Sequence, residues 1–239
     1  LQVGKEMVIC DKRHRYMDRC QDDEVCVCEM SQANVEQISR IIEIAGSDPA
    51  GWRKTTLEER HKIMYEAANR LGEMRGDLIG CMCAITGKTV VEGDVEVSEG
   101  IDYARFYTTS MKLFADLPDV DITPEGTVLV ISPWNFPCAI PIGGIVAALA
   151  GGNTVILKPA TVAAPVAWLF AQAFWDAGVP KEALQVIITD RDALKVLTSA
   201  PAIKHIILTG GTDTAQNIAR SNPSTPLSAE TGGKNAIIL

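Results

Sequence analysis

The chain lacks several features that would mark common protein classes. It carries no basic stripe, and its formal net charge is −8, which sets aside nucleic acid and anionic membranes as partners. It has no apolar run long enough for a bilayer. The longest stretch, around Ala139 to Gly152, is broken by Pro141 and by glycines, and it falls short of the roughly 20 residues a spanning helix needs, so no membrane insertion is expected. No charged, apolar, small-residue leader opens the sequence, and the cytoplasm is the expected location. Paired C-x-x-C sets are missing, and the three histidines, His14, His61 and His205, are not spaced as zinc ligands. The seven cysteines (Cys10, Cys20, Cys26, Cys28, Cys81, Cys83 and Cys138) are odd in number, which argues against a disulfide framework. They read as small apolar residues. The G-x-G-x-x-G fingerprint of dinucleotide binding is also missing.

What is present is enough apolar material, 47% of 239 residues, to fill the core of one large domain or two small ones. Residues 1–30 are polar with a β-leaning stretch, Glu24 to Cys28, and read as a strand or hairpin arm. Residues 31–120 read as a helical layer. Val35, Ile38, Ile41 and Ile42 have helical spacing. Ser47 to Gly51 is a break. Thr56 and Glu59 form a capping box for a helix with Ile63, Met64, Ala67, Ala68, Leu71 and Met74 on one face. Leu78 to Thr86 gives a shorter helix ended by Gly87. Residues 94–115 give a long helix with Val97, Ile101, Ala104 and Tyr107 inward and its acidic residues outward. From residue 121 to 239 the pattern alternates. Strands are expected at Thr127–Ile131, Thr154–Leu157, Leu184–Ile188 and His205–Leu208, and helices at Ile142–Ala150, Ala164–Ala177, Ala193–Ser199 and Thr212–Arg220. That series predicts an α/β fold: a Rossmann-like parallel sheet with helices on both faces, plus the N-terminal helical layer.

Candidate chemistry sits where expected strands end. Ser132-Pro-Trp-Asn-Phe-Pro137 follows the first strand, and its prolines forbid a regular helix through the turn. An amide held there, Asn135, can donate to an oxyanion; it can equally satisfy nearby backbone. Lys158, in Leu157-Lys-Pro-Ala160, can reach ribose hydroxyls or a phosphate, or simply be a solvated strand-end lysine. Gly210 and Gly211, in Thr209-Gly-Gly-Thr-Asp-Thr-Ala215, close a strand and open a helix whose N-terminus attracts a diphosphate; glycine turns of that kind are also common without a ligand. Glu230, in Glu230-Thr-Gly-Gly-Lys-Asn235, is a candidate general base if partial burial raises its pKa, or a surface carboxylate at a turn.

These four motifs, in this order and at these separations, resemble the aldehyde dehydrogenase superfamily, from about Val35 to Leu239. Thr231 resembles the pyrroline-5-carboxylate dehydrogenase branch, whose substrate is the open semialdehyde of glutamate and whose product is glutamate. The resemblance implies NAD as cofactor and an aldehyde as small-molecule substrate. It assigns Ser132, Pro133, Trp134, Lys158, Pro159, Thr161, Gly210, Gly211 and Thr214 to cofactor binding, Asn135 to the oxyanion, and Glu230 to activation of water for deacylation. Many relatives carry Glu where Thr161 stands, and a Glu would repel a 2′-phosphate, so NADP stays open. The loop Thr189-Asp-Arg-Asp192 lacks the glycines many relatives have there. The superfamily's nucleophilic cysteine lies some tens of residues beyond the Glu230 motif, past Leu239, and Cys138 does not match its position. The ending inside a strand-like run, Asn235 to Leu239, points the same way. The expectation is therefore a truncated cofactor-binding portion, inactive toward aldehydes alone, from an enzyme that is a homo-oligomer when complete and is in some cases fused to a proline dehydrogenase domain. The alternatives are a non-catalytic nucleotide-binding module and a dehydrogenase of another semialdehyde, such as succinate semialdehyde.

Overall fold

The computed structural model describes residues 1–21, 25–233 and 235–238, with residues 191 and 192 by their backbone only. Glu24, Lys234 and Leu239, which fall in stretches singled out above, lie outside the described residues, as do the side chains of Arg191 and Asp192. The N-terminal arm is two antiparallel hairpins, β1 (Gln2–Val3) with β2 (Glu6–Met7) and β3 (Arg13–Met17) with β4 (Cys26–Ser31). Helices α1 (Val35–Ser47), α2 (Leu57–Glu73), α3 (Arg75–Thr86) and α4 (Val90–Ala115) follow. Capping boxes start three of them: Asn34 with Gln37, Thr56 with Glu59, and Thr89 with Glu92. Each satisfies N-terminal amides that the helix itself leaves bare. The last box starts α4 four residues earlier than apolar spacing suggested.

Five parallel strands make the central sheet: β5 (Thr127–Ser132), β6 (Thr154–Pro159), β7 (Leu184–Val186), β8 (Ile203–Gly210) and β9 (Leu227–Thr231). They are joined by α5 (Ala139–Ala150), α6 (Ala164–Asp176), α7 (Arg191–Thr198) and α8 (Thr212–Ser221). The spatial order is β7-β6-β5-β8-β9. The chain winds outward from β5 to β7, then crosses back to β8, so the direction of winding reverses between β5 and β8. In open α/β sheets that reversal opens a crevice beyond the strands' C-terminal ends.

Alternation along β5 explains why all six of its residues are buried. Val128 and Val130 face the core shared with α2 to α6, through Met64, Leu71, Val97, Ile142 and Phe170. Leu129 and Ile131 face the opposite core, with Ile38 and Ile41 of α1, Leu197 of α7 and Ile218 of α8. The helical layer therefore packs on the same sheet, as expected. Among the described residues no helix is long and apolar enough to cross a membrane.

Four local expectations are corrected. Glu96 does not face outward with the other acids of α4; it is buried. Val35, as the first residue of α1, is exposed rather than inward. The helix expected from Ile142 begins at Ala139; Pro141 falls in its first turn, where the N–H it lacks has no intrahelical partner anyway. Residues 235–238 form no strand, and Ile237 and Ile238 are 85% and 96% exposed. An extended pairing did form just upstream, in β9, whose amides find partners along β8.

Candidate active site

An open cleft of about 1590 Å³ lies at the winding reversal, ample for a dinucleotide on the usual scale of ligand sites. Strand register puts its wall together. Ile131 of β5 lies level with Lys158 of β6 and Leu208 of β8, and Glu230 of β9 lies level with Thr209. The turn after β5, the lysine near the end of β6, the glycines at the end of β8 and the carboxylate of β9 therefore emerge at one edge. Ser132, Pro133, Trp134, Asn135, Lys158, Gly210, Gly211, Thr214 and Glu230 all line the cleft. Pro159 and Thr161 do not. Pro159 is buried, and Thr161 opens a short 3-10 turn whose carbonyl accepts a hydrogen bond from the Tyr16 hydroxyl at 2.8 Å.

The wall holds polar groups that the protein itself leaves unmatched. The Ser132 Oγ is buried without a hydrogen-bond partner among the described residues. Leaving such a group bare costs free energy unless something binds it. Lys158 makes no ion pair among the described residues, and burial pulls its pKa below the usual lysine value. Gly211 precedes helix α8 and offers it no side-chain cap; Gly211 to Thr214 line the cleft, so the helix's first amides are left without a side-chain partner at that wall. Neither Gly210 nor Gly211 needs to be glycine for the fold: a Cβ at either would meet its nearest neighbour at ordinary contact distance, 3.7 and 3.8 Å. Their smallness leaves room for close approach from the cleft side. An unmatched hydroxyl, an unmatched ammonium and bare helix amides around a glycine turn suit a ribose and a diphosphate.

Asn135 and Trp134 are exposed on the turn, Trp134 by 58%. Glu230 is exposed on β9, without the partial burial that was the condition set for it above; β9 is the sheet's last strand and leaves its carboxylate in the open cleft. Cys138 lies behind the turn, fully buried. Burial, reinforced by the neighbouring Glu96 carboxylate, raises its pKa well above the ordinary thiol value. That leaves an unreactive thiol, and none of the seven cysteines lines the cleft. Sequence reasoning missed the far wall, where Leu194 and Thr198 of α7 face Asn217, Ile218 and Ser221 of α8. Their i, i+3 and i+4 spacing was visible, but which face looked into a crevice was not. It also missed Lys88 and Glu96, which sit directly behind the turn.

Residues 10–239 match the sequence model of the aldehyde dehydrogenase family. The chain is 31% identical to a 1-pyrroline-5-carboxylate dehydrogenase of Geobacillus sp. (strain WCH70), a match that covers 100% of the chain and 50% of that enzyme. It is 35% identical to the bifunctional protein PutA of Klebsiella aerogenes over 89% of the chain and 16% of that protein. The solved structure of proline utilization A (PutA) from Corynebacterium freiburgense superposes with a TM-score of 0.77 at 38% identity, over 84% of the chain and 21% of the other. The chain thus spans about half the length of the first of these curated relatives and a smaller part of the others.

Proposed function

The chain belongs to the aldehyde dehydrogenase family, and on that premise we propose that its cleft binds a nicotinamide dinucleotide for the oxidation of an aldehyde to a carboxylic acid. The substrate we propose is 1-pyrroline-5-carboxylate in its open form, glutamate semialdehyde. The names of the dehydrogenase and PutA relatives and Thr231 in the Glu230 motif support that choice. In the longer proteins of this kind a fused proline dehydrogenase unit is the proposed partner.

The single observation carrying the cofactor reading is Lys158, a half-buried lysine with no ion-pair partner among the described residues, facing the cleft where the winding reverses. A positive charge kept bare in a low-dielectric wall is costly unless a ligand offers oxygens. In this reading Lys158 and Ser132 hold ribose and phosphate oxygens, and the amides opening α8 hold the diphosphate. The wall formed by Leu194 and Thr198 of α7 and Ile218 of α8 would hold the adenine. The bound nicotinamide supplies a hydride acceptor. The Asn135 amide donates to the oxyanion that forms on the substrate, and Glu230 takes a proton from water. The nucleophilic thiol is not among the seven cysteines, because none of them reaches the cleft.

That last point favours a second reading of these 239 residues by themselves: a nucleotide-binding module without aldehyde chemistry. The test is a titration with NAD and with NADP, repeated on Lys158→Ala and Gly211→Val. Binding that both substitutions weaken supports the cleft reading; no binding by the unmodified chain, or binding indifferent to both changes, refutes it. NADH formation on adding the semialdehyde would refute the second reading.

A further inference from the structure

The turn that carries Asn135 is not held by its own residues. Its backbone is tied at Asn135, and again just beyond the turn at Cys138 and Ala139, to a buried ion pair from the helical layer. The Lys88 Nζ donates to the Asn135 carbonyl at 2.7 Å, sits 4.2 Å from the Phe136 ring centroid, and pairs with the Glu96 Oε2 at 2.5 Å. The other oxygen, Glu96 Oε1, accepts from the amides of Cys138 at 2.6 Å and Ala139 at 3.1 Å. Those amides open α5, which has no side-chain cap of its own. A carboxylate from α4 thus caps α5 across the core, at the end where the helix field favours negative charge. The two side chains are 10% and 0% exposed.

The pair itself is fixed. Lys88 lies in a three-residue link, Gly87 to Thr89. Gly87 ends α3 in the left-handed region at φ 70, and the Thr89 side chain accepts from the Glu92 amide to start α4. Two helix ends clamp the lysine, and the lysine clamps the turn.

We infer that Lys88 and Glu96 are positioning residues for the oxyanion-binding turn: they set where the Asn135 amide stands and hold the nicotinamide side of the cleft. The inference rests on the proposed cofactor reading for its consequence, though not for the bracing itself. Retaining a buried ion pair solely for stability is poor design, since apolar replacements often do as well. Its value here is that it ties the hexapeptide at Asn135 and, just beyond it, the first amides of α5 at Cys138 and Ala139.

The test uses the full chain and three readouts: hydrogen exchange at the amides of residues 134–136, 138 and 139 without nucleotide, affinity for NAD, and affinity for AMP, which carries no nicotinamide. Lys88→Met is expected to speed exchange in the turn and weaken NAD by about tenfold, with AMP unchanged. Lys88→Arg, which can still donate to both partners, is expected to restore NAD binding. If Lys88→Met does not fold because Glu96 is left as a bare buried charge, the double variant Lys88→Met/Glu96→Gln removes that charge and still lacks the tie. Unchanged exchange, or equal loss of NAD and AMP, overturns the inference. If the unmodified chain binds neither nucleotide, the cofactor reading fails, and turn exchange alone decides whether the bracing exists.

Discussion

Lys158 shows how far a single residue's surroundings set its chemistry. Its pKa is depressed because burial penalises the ammonium. The unfolded chain therefore holds this proton more tightly than the folded one, and between the depressed value and the usual 10.5 this group makes stability rise with pH. Cofactor binding follows the opposite sign, because the cofactor's oxygens need the charged form. NAD affinity is expected to fall as pH climbs through the depressed value, and Lys158→Arg, which stays charged, should flatten that fall in titrations from neutral to alkaline pH. Cys138 gives a second residue-scale prediction. Its buried, protonated thiol should resist alkylation in the native protein while the exposed Cys20 reacts, as read by mass spectrometry of iodoacetamide-treated protein. Cys138 modified as fast as Cys20 would mean the turn is open.

Among the elements, α2 and α8 separate folding from binding. The Thr56 hydroxyl accepts from the Glu59 amide at 3.2 Å and the Glu59 carboxylate returns a contact to the Thr56 amide at 2.7 Å, at a helix end that contributes nothing to the cleft wall. Thr56→Ala is expected to cost about 1 kcal/mol of stability in chemical denaturation, with NAD affinity unchanged. Gly211→Val should behave in reverse. Gly211 has φ −73, open to any residue, and space around its Cβ position, so the thermal midpoint should hold while NAD affinity drops at least tenfold, because the added side chain would stand where the proposed diphosphate approaches. A variant that loses both together would show that the glycine serves the fold after all.

For the whole molecule, the inner strands β5 to β7, almost wholly buried on both faces, join α2 to α6 on one side to α1, α7 and α8 on the other. A ligand that binds only the folded form must then stabilise all of it. At one hundred times its Kd, NAD is expected to add about 2.7 kcal/mol, or roughly 5–10 °C in melting temperature for a chain of this size. A melting curve that does not move with NAD would argue that the cleft binds something else. The same molecule offered NAD and glutamate semialdehyde should give no NADH signal, since no thiol faces the cleft.

Much of this was written locally. The alternating strands and helices after residue 121, the Thr56–Glu59 cap and the stop at Gly87 follow from spacing and turn chemistry, which act within a few residues. The site motifs were legible because each ends a strand, and parallel strands necessarily bring their C-terminal ends to one edge. What the sequence could not settle was anything requiring two distant segments to meet. Glu96 looks like one more acid on a helix rich in them; only the packing of α4 against α5 makes it a buried cap with Lys88 as its counter-ion. Glu230 looks like a candidate for burial; only its place on the last strand leaves it open. Side-chain type and short-range periodicity fix what a residue can do. Which partners reach it, and whether water does, is decided by long-range packing, and that is where this protein's cleft acquired its unmatched hydroxyl, its depressed lysine and its braced turn.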